Sequence, residues 1–103
     1  MIQEISVHQL KAKIDAGGTF RLIDVRSPAD FASGHGPGTV NIPLETIQST
    51  LAGVDSNEEV VMICQRGGRS MNACKKVSAT YPLLVNVAGG TGDWIAAGFP
   101  VVS

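Results

Sequence analysis

Two apolar runs of strand length, EVVMI (59–63) and LLVNV (83–87), place the tightest limit on how this chain can fold. Each is too short for a buried helix and is nearly continuous in apolar residues, the pattern of a strand covered on both faces. FRLIDV (20–25) and TVNIP (39–43), the latter closed by Pro43, also read as strands. A sheet buried on both sides needs helices to cover it, and the intervening stretches have helical spacing.

Ser6 followed by Gln9 forms a capping box, and Val7, Leu10 and Ile14 recur at helical spacing until Gly17 and Gly18. In SPADFASG, Ser27 is an N-cap, Pro28 a first helical residue and Gly34 a terminator. Leu44, Ile47, Leu51 and Val54 mark a further amphipathic helix. A helix from about Arg69 carries Met71, Cys74 and Val77 on one face and ends before Pro82, and TGDWIAAG closes the chain with a short helix. Strands alternating with helices predict an α/β fold, a mostly parallel sheet of about five strands with helices on both faces. The 103 residues, 44% of them hydrophobic, suffice for one domain spanning 1–103 and are too few for two.

Eight Lys and Arg against nine Asp and Glu give a net charge of −1, which marks neither a nucleic-acid face nor a membrane patch. The opening MIQEISVHQL lacks the basic and apolar segments of a secretory signal, and no run is long enough to span a bilayer. The expectation, taking the chain as whole, is a soluble cytoplasmic protein. Cys64 and Cys74, ten positions apart, fit neither a metal-type pair nor a disulfide framework, so both are expected as free thiols. Two histidines without ligand spacing argue against a metal site.

The segment ICQRGGRS (63–70) sets Cys64 at the carboxyl end of a buried strand, where open α/β sheets bind their ligands. Gly67 and Gly68 let the backbone curve so that successive amides converge, and the following helix adds its positive end. Those donors and the guanidinium groups of Arg66 and Arg69 favour a thiolate, which makes Cys64 a nucleophile candidate. A free thiol of pKa ~8.5 is about 3% ionised at neutral pH, so a drop of roughly two units raises the thiolate about 25-fold. The accompanying loss of nucleophilicity removes roughly 6- to 10-fold. Orientation of the substrate and fixed donors for the moving charge must therefore supply most of the rate.

Taken together, three segments resemble the single-domain rhodaneses, the thiosulfate sulfurtransferase family: LIDVRSPADFASGHGPGTVNIP (22–43), CQRGGRS (64–70) and GGTGDWIAAGFPV (89–101). The resemblance covers almost the whole chain. It implies a rhodanese-like fold and transfer of sulfane sulfur from a small anionic donor such as thiosulfate to a thiol or cyanide acceptor, through a persulfide on Cys64. The loop Gln65, Arg66, Gly67, Gly68, Arg69 and Ser70 would bind the substrate, with the amides of Gln65 to Arg69 cradling the persulfide. Arg69, which closes the loop, is favoured over Arg66 for the donor's sulfonate. No cofactor or metal is implied, since the persulfide is itself the carried group.

The chain departs from the family pattern at Gly36, where a bulky apolar residue is usual, and at Asp30 and Phe31, which replace glutamate and tyrosine. A looser turn at Gly36 is expected. The related cysteine-loop phosphatases and arsenate reductases keep five residues between cysteine and arginine, whereas four, Gln65 to Gly68, stand here. The shorter ring suits a single sulfur better than a tetrahedral oxyanion. A persulfide carrier that delivers sulfur to an accepting protein uses the same loop and stands as the alternative. Cys74, Trp94 and Phe99 read as core, His35 as a turn residue, and Gly89 and Gly90 as either a plain turn or part of the site's edge. Arg26 and Asp30 are spaced to pair on one helix face.

Overall fold

The computed structural model describes residues 2–103. Strands β1 (Ile2–Ile5), β2 (Arg21–Asp24), β3 (Val40–Asn41), β4 (Val60–Ile63) and β5 (Leu84–Val87) form one sheet in the order β1-β5-β4-β2-β3, and every neighbouring pair is parallel. Helices α1 (Val7–Asp15), α2 (Pro28–Ala32), α3 (Ile47–Leu51) and α4 (Gly68–Val77) lie in the connections between strands, and α5 (Gly90–Ala96) follows β5. The α/β architecture expected from the alternating pattern is the one observed.

The two apolar runs became the sheet's interior because each must supply side chains to two cores. Val60 and Met62 of β4 join Ile47, Leu51, Ala73, Cys74 and Val77 on the side of α3 and α4. Val61 and Ile63 join Val7, Leu10, Val85, Val87 and Trp94 on the side of α1 and α5. All four residues of β4 are buried, as are all four of β5. Each fully buried aliphatic side chain contributes about 1.5–3 kcal/mol relative to an exposed one, so two cores serve the 103-residue domain better than one. The alternation also sets Asn86 of β5 on the α4 side, in register with Glu4 of β1 and Met62 of β4.

Local signals fixed the helix ends. The Ser6–Gln9 capping box forms with both of its hydrogen bonds, at 3.1 and 2.8 Å. Ser27 caps α2 by accepting from the Asp30 amide, with Pro28 at the first helical position.

Four expectations are corrected. β1 had no counterpart among the predicted strands, because Gln3 and Glu4 are exposed and only its pairing with β5 defines it. The helix expected from Leu44 to Val54 breaks into a 3-10 turn, Leu44–Thr46, and the short α3, with Val54 beyond its end. On α4 the buried residues are Ser70, Ala73, Cys74 and Val77, while Met71 is half-buried at the margin. The turn at Gly36 is held rather than loose. The Gly36 carbonyl accepts from the Thr39 hydroxyl at 2.7 Å, and the Trp94 indole lies within van der Waals reach, 3.4–3.5 Å from where a first side-chain carbon would stand.

Candidate active site

Three connections meet at the carboxyl edge of the sheet: the turn after β2 with Arg26, the loop after β4 with Cys64, and the Gly89–Gly90 turn after β5. The middle one is tightly wound. Gly67 has φ of +104°, a left-handed conformation that only glycine adopts at little cost. That turn brings the Gly67 amide to 3.0 Å from Cys64 Sγ. The Ser70 hydroxyl lies 3.3 Å from the same sulfur.

Gly90 supports the loop from behind. Its φ is +57°, and a side chain there would stand 2.2 Å from the Cys64 carbonyl oxygen. This close approach lets the Thr91 amide donate to the Cys64 carbonyl at 2.8 Å and the Gly92 amide to the Gln65 carbonyl at 3.0 Å. The loop's carbonyls are thereby drawn toward α5. Gly90 thus belongs to the structural support of the loop, which resolves the two readings of the Gly89–Gly90 pair for this residue.

Burial alone would push the Cys64 thiol up. The Ser70 hydroxyl, then the amides of Ser70, Gly67 and Arg66, outweigh it and leave the thiol below its ordinary pKa. The helix contributes in the same direction, since α4 begins at Gly68 and directs its amino end toward the sulfur. Of the amides expected around the sulfur, those of Arg66 and Gly67 act on it, together with the Ser70 amide just beyond the expected range. Cys64 is only 2% exposed, at the floor of an open depression of about 350 Å³ lined by Gln65, Arg66, Gly68 and Arg69. Cys74, fully buried one turn beyond Ser70 on the same face of α4, has its thiol pushed up to about 12 by burial and is packed as core.

The two arginines of the loop are exposed around the depression. Arg69 inclines toward Asp30 of α2, with 3.9 Å between guanidinium and carboxylate. Arg26 does not pair with Asp30, because the end of β2 turns it inward. It takes both carboxylate oxygens of Asp24 at 2.8–3.1 Å, the Gly34 carbonyl at 2.8 Å and the Gln65 side-chain oxygen at 3.2 Å. This pair is 0% and 3% exposed, and its polar atoms are hydrogen-bonded, which is the condition under which a buried ion pair is tolerated. Gln65 therefore uses its side chain to tie the loop to β2. His35 stacks on Phe31 and contacts its carbonyl at 2.7 Å, as befits a turn residue.

Two residues near the sulfur were not singled out by the sequence. Asn86 is 1% exposed and meets the Ser70 hydroxyl through its Oδ1. Its amide nitrogen donates to Glu4 Oε2 at 3.0 Å and to the Gly67 carbonyl at 3.2 Å. The available signal was the amide itself, a lone polar residue inside an apolar strand run, which must find partners when buried. Glu4 carried no such signal.

The family model described as "Rhodanese-like domain" matches residues 6–97. The chain is 41% identical over 93 residues to "Putative sulfurtransferase YtwF" of Bacillus subtilis, spanning 90% of each protein. It is 32% identical over 94 residues to "Putative sulfur carrier protein YrkF" of the same organism, spanning 90% of this chain and 51% of that one. Among solved structures, a rhodanese-related protein from Thermoplasma volcanium superposes with a TM-score of 0.86 at 28% identity, over 97% of each chain.

Proposed function

This chain belongs to the rhodanese-like domain family, and from that premise we propose that it is a sulfurtransferase with Cys64 as nucleophile and thiosulfate, or a closely related sulfane-sulfur anion, as donor. The observation that carries the reading is the convergence of the Gly67 amide and the Ser70 hydroxyl on one cysteine sulfur at the amino end of a helix. Such a site stabilises a sulfur anion.

In the first half-reaction the Cys64 thiolate attacks the outer sulfur of thiosulfate. A new S–S bond forms, the donor's S–S bond breaks, and its electron pair leaves with sulfite. The protein retains a persulfide whose negative charge sits on the outer sulfur. In the second, cyanide or a thiolate attacks that outer sulfur and leaves with it as thiocyanate or a new persulfide, and the Cys64 thiolate is restored. Each step conserves charge without an external oxidant or reductant. Arg66 and Arg69 at the rim offer positive charge to the donor's sulfonate, with Arg69 the favoured partner.

Burial of Cys64 Sγ suits this chemistry. An S–S bond of about 2.05 Å carries the transferred sulfur from the floor of the depression toward its opening. An acceptor that enters the depression then meets the outer sulfur before Sγ. Two free cysteines and a chemistry that needs a reduced thiol favour a reducing compartment such as the cytoplasm. No helix among the described residues is long and apolar enough to cross a membrane.

The likeness to a relative named as a sulfur carrier favours a second reading, in which the persulfide is delivered to an accepting protein. Steady-state kinetics on the purified protein separate the two. Parallel double-reciprocal lines with thiosulfate and cyanide or a small thiol, with no partner present, support the enzyme. Single-turnover loading without multiple turnover supports the carrier.

A further inference from the structure

Asn86 occupies a position in β5 that faces the α4 core, between the apolar Met62 of β4 and Glu4 of β1. Its two amide hydrogens point at groups that can only accept, the Glu4 carboxylate and the Gly67 carbonyl. Turning the amide over would set oxygen against two oxygens, so the orientation is fixed by chemistry. Oδ1 therefore faces Ser70 Oγ, and the only hydrogen available between those two oxygens is the Ser70 hydroxyl's. The same hydroxyl also lies against Cys64 Sγ at 3.3 Å. One hydroxyl hydrogen cannot serve both acceptors fully.

We propose that Asn86 is a positioning residue whose Oδ1 competes with the Cys64 sulfur for the Ser70 hydrogen, holding it when the sulfur is uncharged and yielding it when the sulfur is a thiolate. In the thiol state Cys64 S–H donates to Ser70 Oγ and Ser70 donates to Asn86, so every group is satisfied. In the thiolate state the Ser70 hydrogen turns to Sγ and Asn86 Oδ1 is left without its donor. The buried orphan oxygen offsets part of what the thiolate gains. In the persulfide the charge has moved to the outer sulfur, Sγ is a weak acceptor, and the hydrogen returns to Asn86. Asn86 thus narrows the gap between the free and the sulfur-loaded site. This consequence for turnover rests on the sulfurtransferase reading, whereas the consequence for thiol acidity does not.

The charged groups around the sulfur are Arg66 and Arg69 from the loop and α4, the Asp24–Arg26 pair from the end of β2, and Glu4 from β1 behind Asn86. Replacing Asn86 also frees the Glu4 carboxylate and the Gly67 carbonyl from its amide, so the same replacement made with alanine at position 70 is what isolates the hydroxyl.

The test is the pH dependence of Cys64 alkylation by iodoacetamide in the wild type, Asn86→Leu, Ser70→Ala and the double variant, with folding checked by circular dichroism. Cys74 is buried with its thiol pushed up to about 12 and does not compete. Asn86→Leu is expected to lower the apparent pKa of Cys64 by about one unit, the scale of a hydrogen bond to a charged group gained over a contested one. Ser70→Ala is expected to raise it, and adding Asn86→Leu to Ser70→Ala to change nothing further. An unchanged or raised pKa in Asn86→Leu overturns the proposal, as does an equal shift with alanine at position 70, which would mark a general effect on the fold. If Asn86→Leu does not fold, Asn86→Val takes its place in the same cycle. Alkylation needs no sulfur donor, so failure of sulfur transfer and failure of this proposal are read separately.

Discussion

The Arg69 guanidinium stands 3.9 Å from the Asp30 carboxylate, so the cation proposed to meet the donor's sulfonate is partly engaged by a neighbouring helix. Both side chains are about half exposed, and such a pair adds little to stability. Asp30→Asn is expected to leave the melting temperature within about 2 °C of wild type. It should lower KM for thiosulfate roughly 2- to 3-fold by freeing the guanidinium, a gain the size of a weak surface ion pair. Arg69→Ala should raise KM instead. An Asp30→Asn variant whose KM rises would mean that the carboxylate orients Arg69 rather than occupying it.

Much of this geometry was legible in the sequence because its causes are local. The nearly continuous apolar runs announced β4 and β5, the Ser6–Gln9 pair announced α1, and Gly67 with Gly68 announced a turn that presents amides to Cys64. Part of what escaped depends on residues far apart in the chain. β1 exists through its pairing with β5, and the contact of Glu4 with Asn86 spans 82 positions. Arg26 was expected to reach Asp30 four residues on, but the buried Asp24 carboxylate offers two well-placed acceptors where the exposed one offers a solvent-screened contact. Spacing alone does not tell which way a chain turns at the end of a strand.

Gly90 is the position at which backbone crowding is most severe. A methyl group there would overlap the Cys64 carbonyl and the Gln65 backbone, and the φ of +57° costs an L-residue roughly 1–2 kcal/mol by itself. Gly90→Ala is expected to lower the melting temperature by at least about 5 °C and to displace the loop, with a fall in kcat/KM larger than the loss of folded protein explains. A variant with wild-type melting and activity would show that the loop does not depend on this contact.

At Gly36 the opposite result is expected. Its φ lies outside the left-handed region, and a methyl group would meet the Trp94 ring at 3.4–3.5 Å, beside a small void of about 10 Å³. Gly36→Ala should stabilise the domain by about 0.4–1 kcal/mol, mainly by restricting the unfolded chain. Chemical unfolding provides the check, and a loss of stability would mean that the indole cannot accommodate the methyl group.

The two cysteines pull stability in opposite directions as pH changes. Cys74 is raised to about 12 in the folded state by burial, so above ~8.5 the unfolded chain releases its proton first and stability falls, by about 1.4 kcal/mol per pH unit. Cys64 is lowered, so its contribution is present above ~8.5 and is lost as pH falls through the folded value. Cys74→Ala should cost stability at pH 8 through the cavity it leaves. Its deficit relative to wild type should shrink by about 2 kcal/mol by pH 10, in denaturant titrations under reducing conditions. Parallel pH curves would contradict the burial of a neutral Cys74 thiol.

The most direct test of Cys64 as the sulfur-bearing nucleophile is the intact mass of the reduced protein after incubation with thiosulfate, before and after a cyanide chase, beside a Cys64→Ser control. The expected result is a gain of one sulfur atom, about 32 Da for a persulfide, that requires Cys64 and disappears with cyanide. A folded, reduced protein that gains no mass, or a Cys64→Ser variant that gains the same mass, would contradict it.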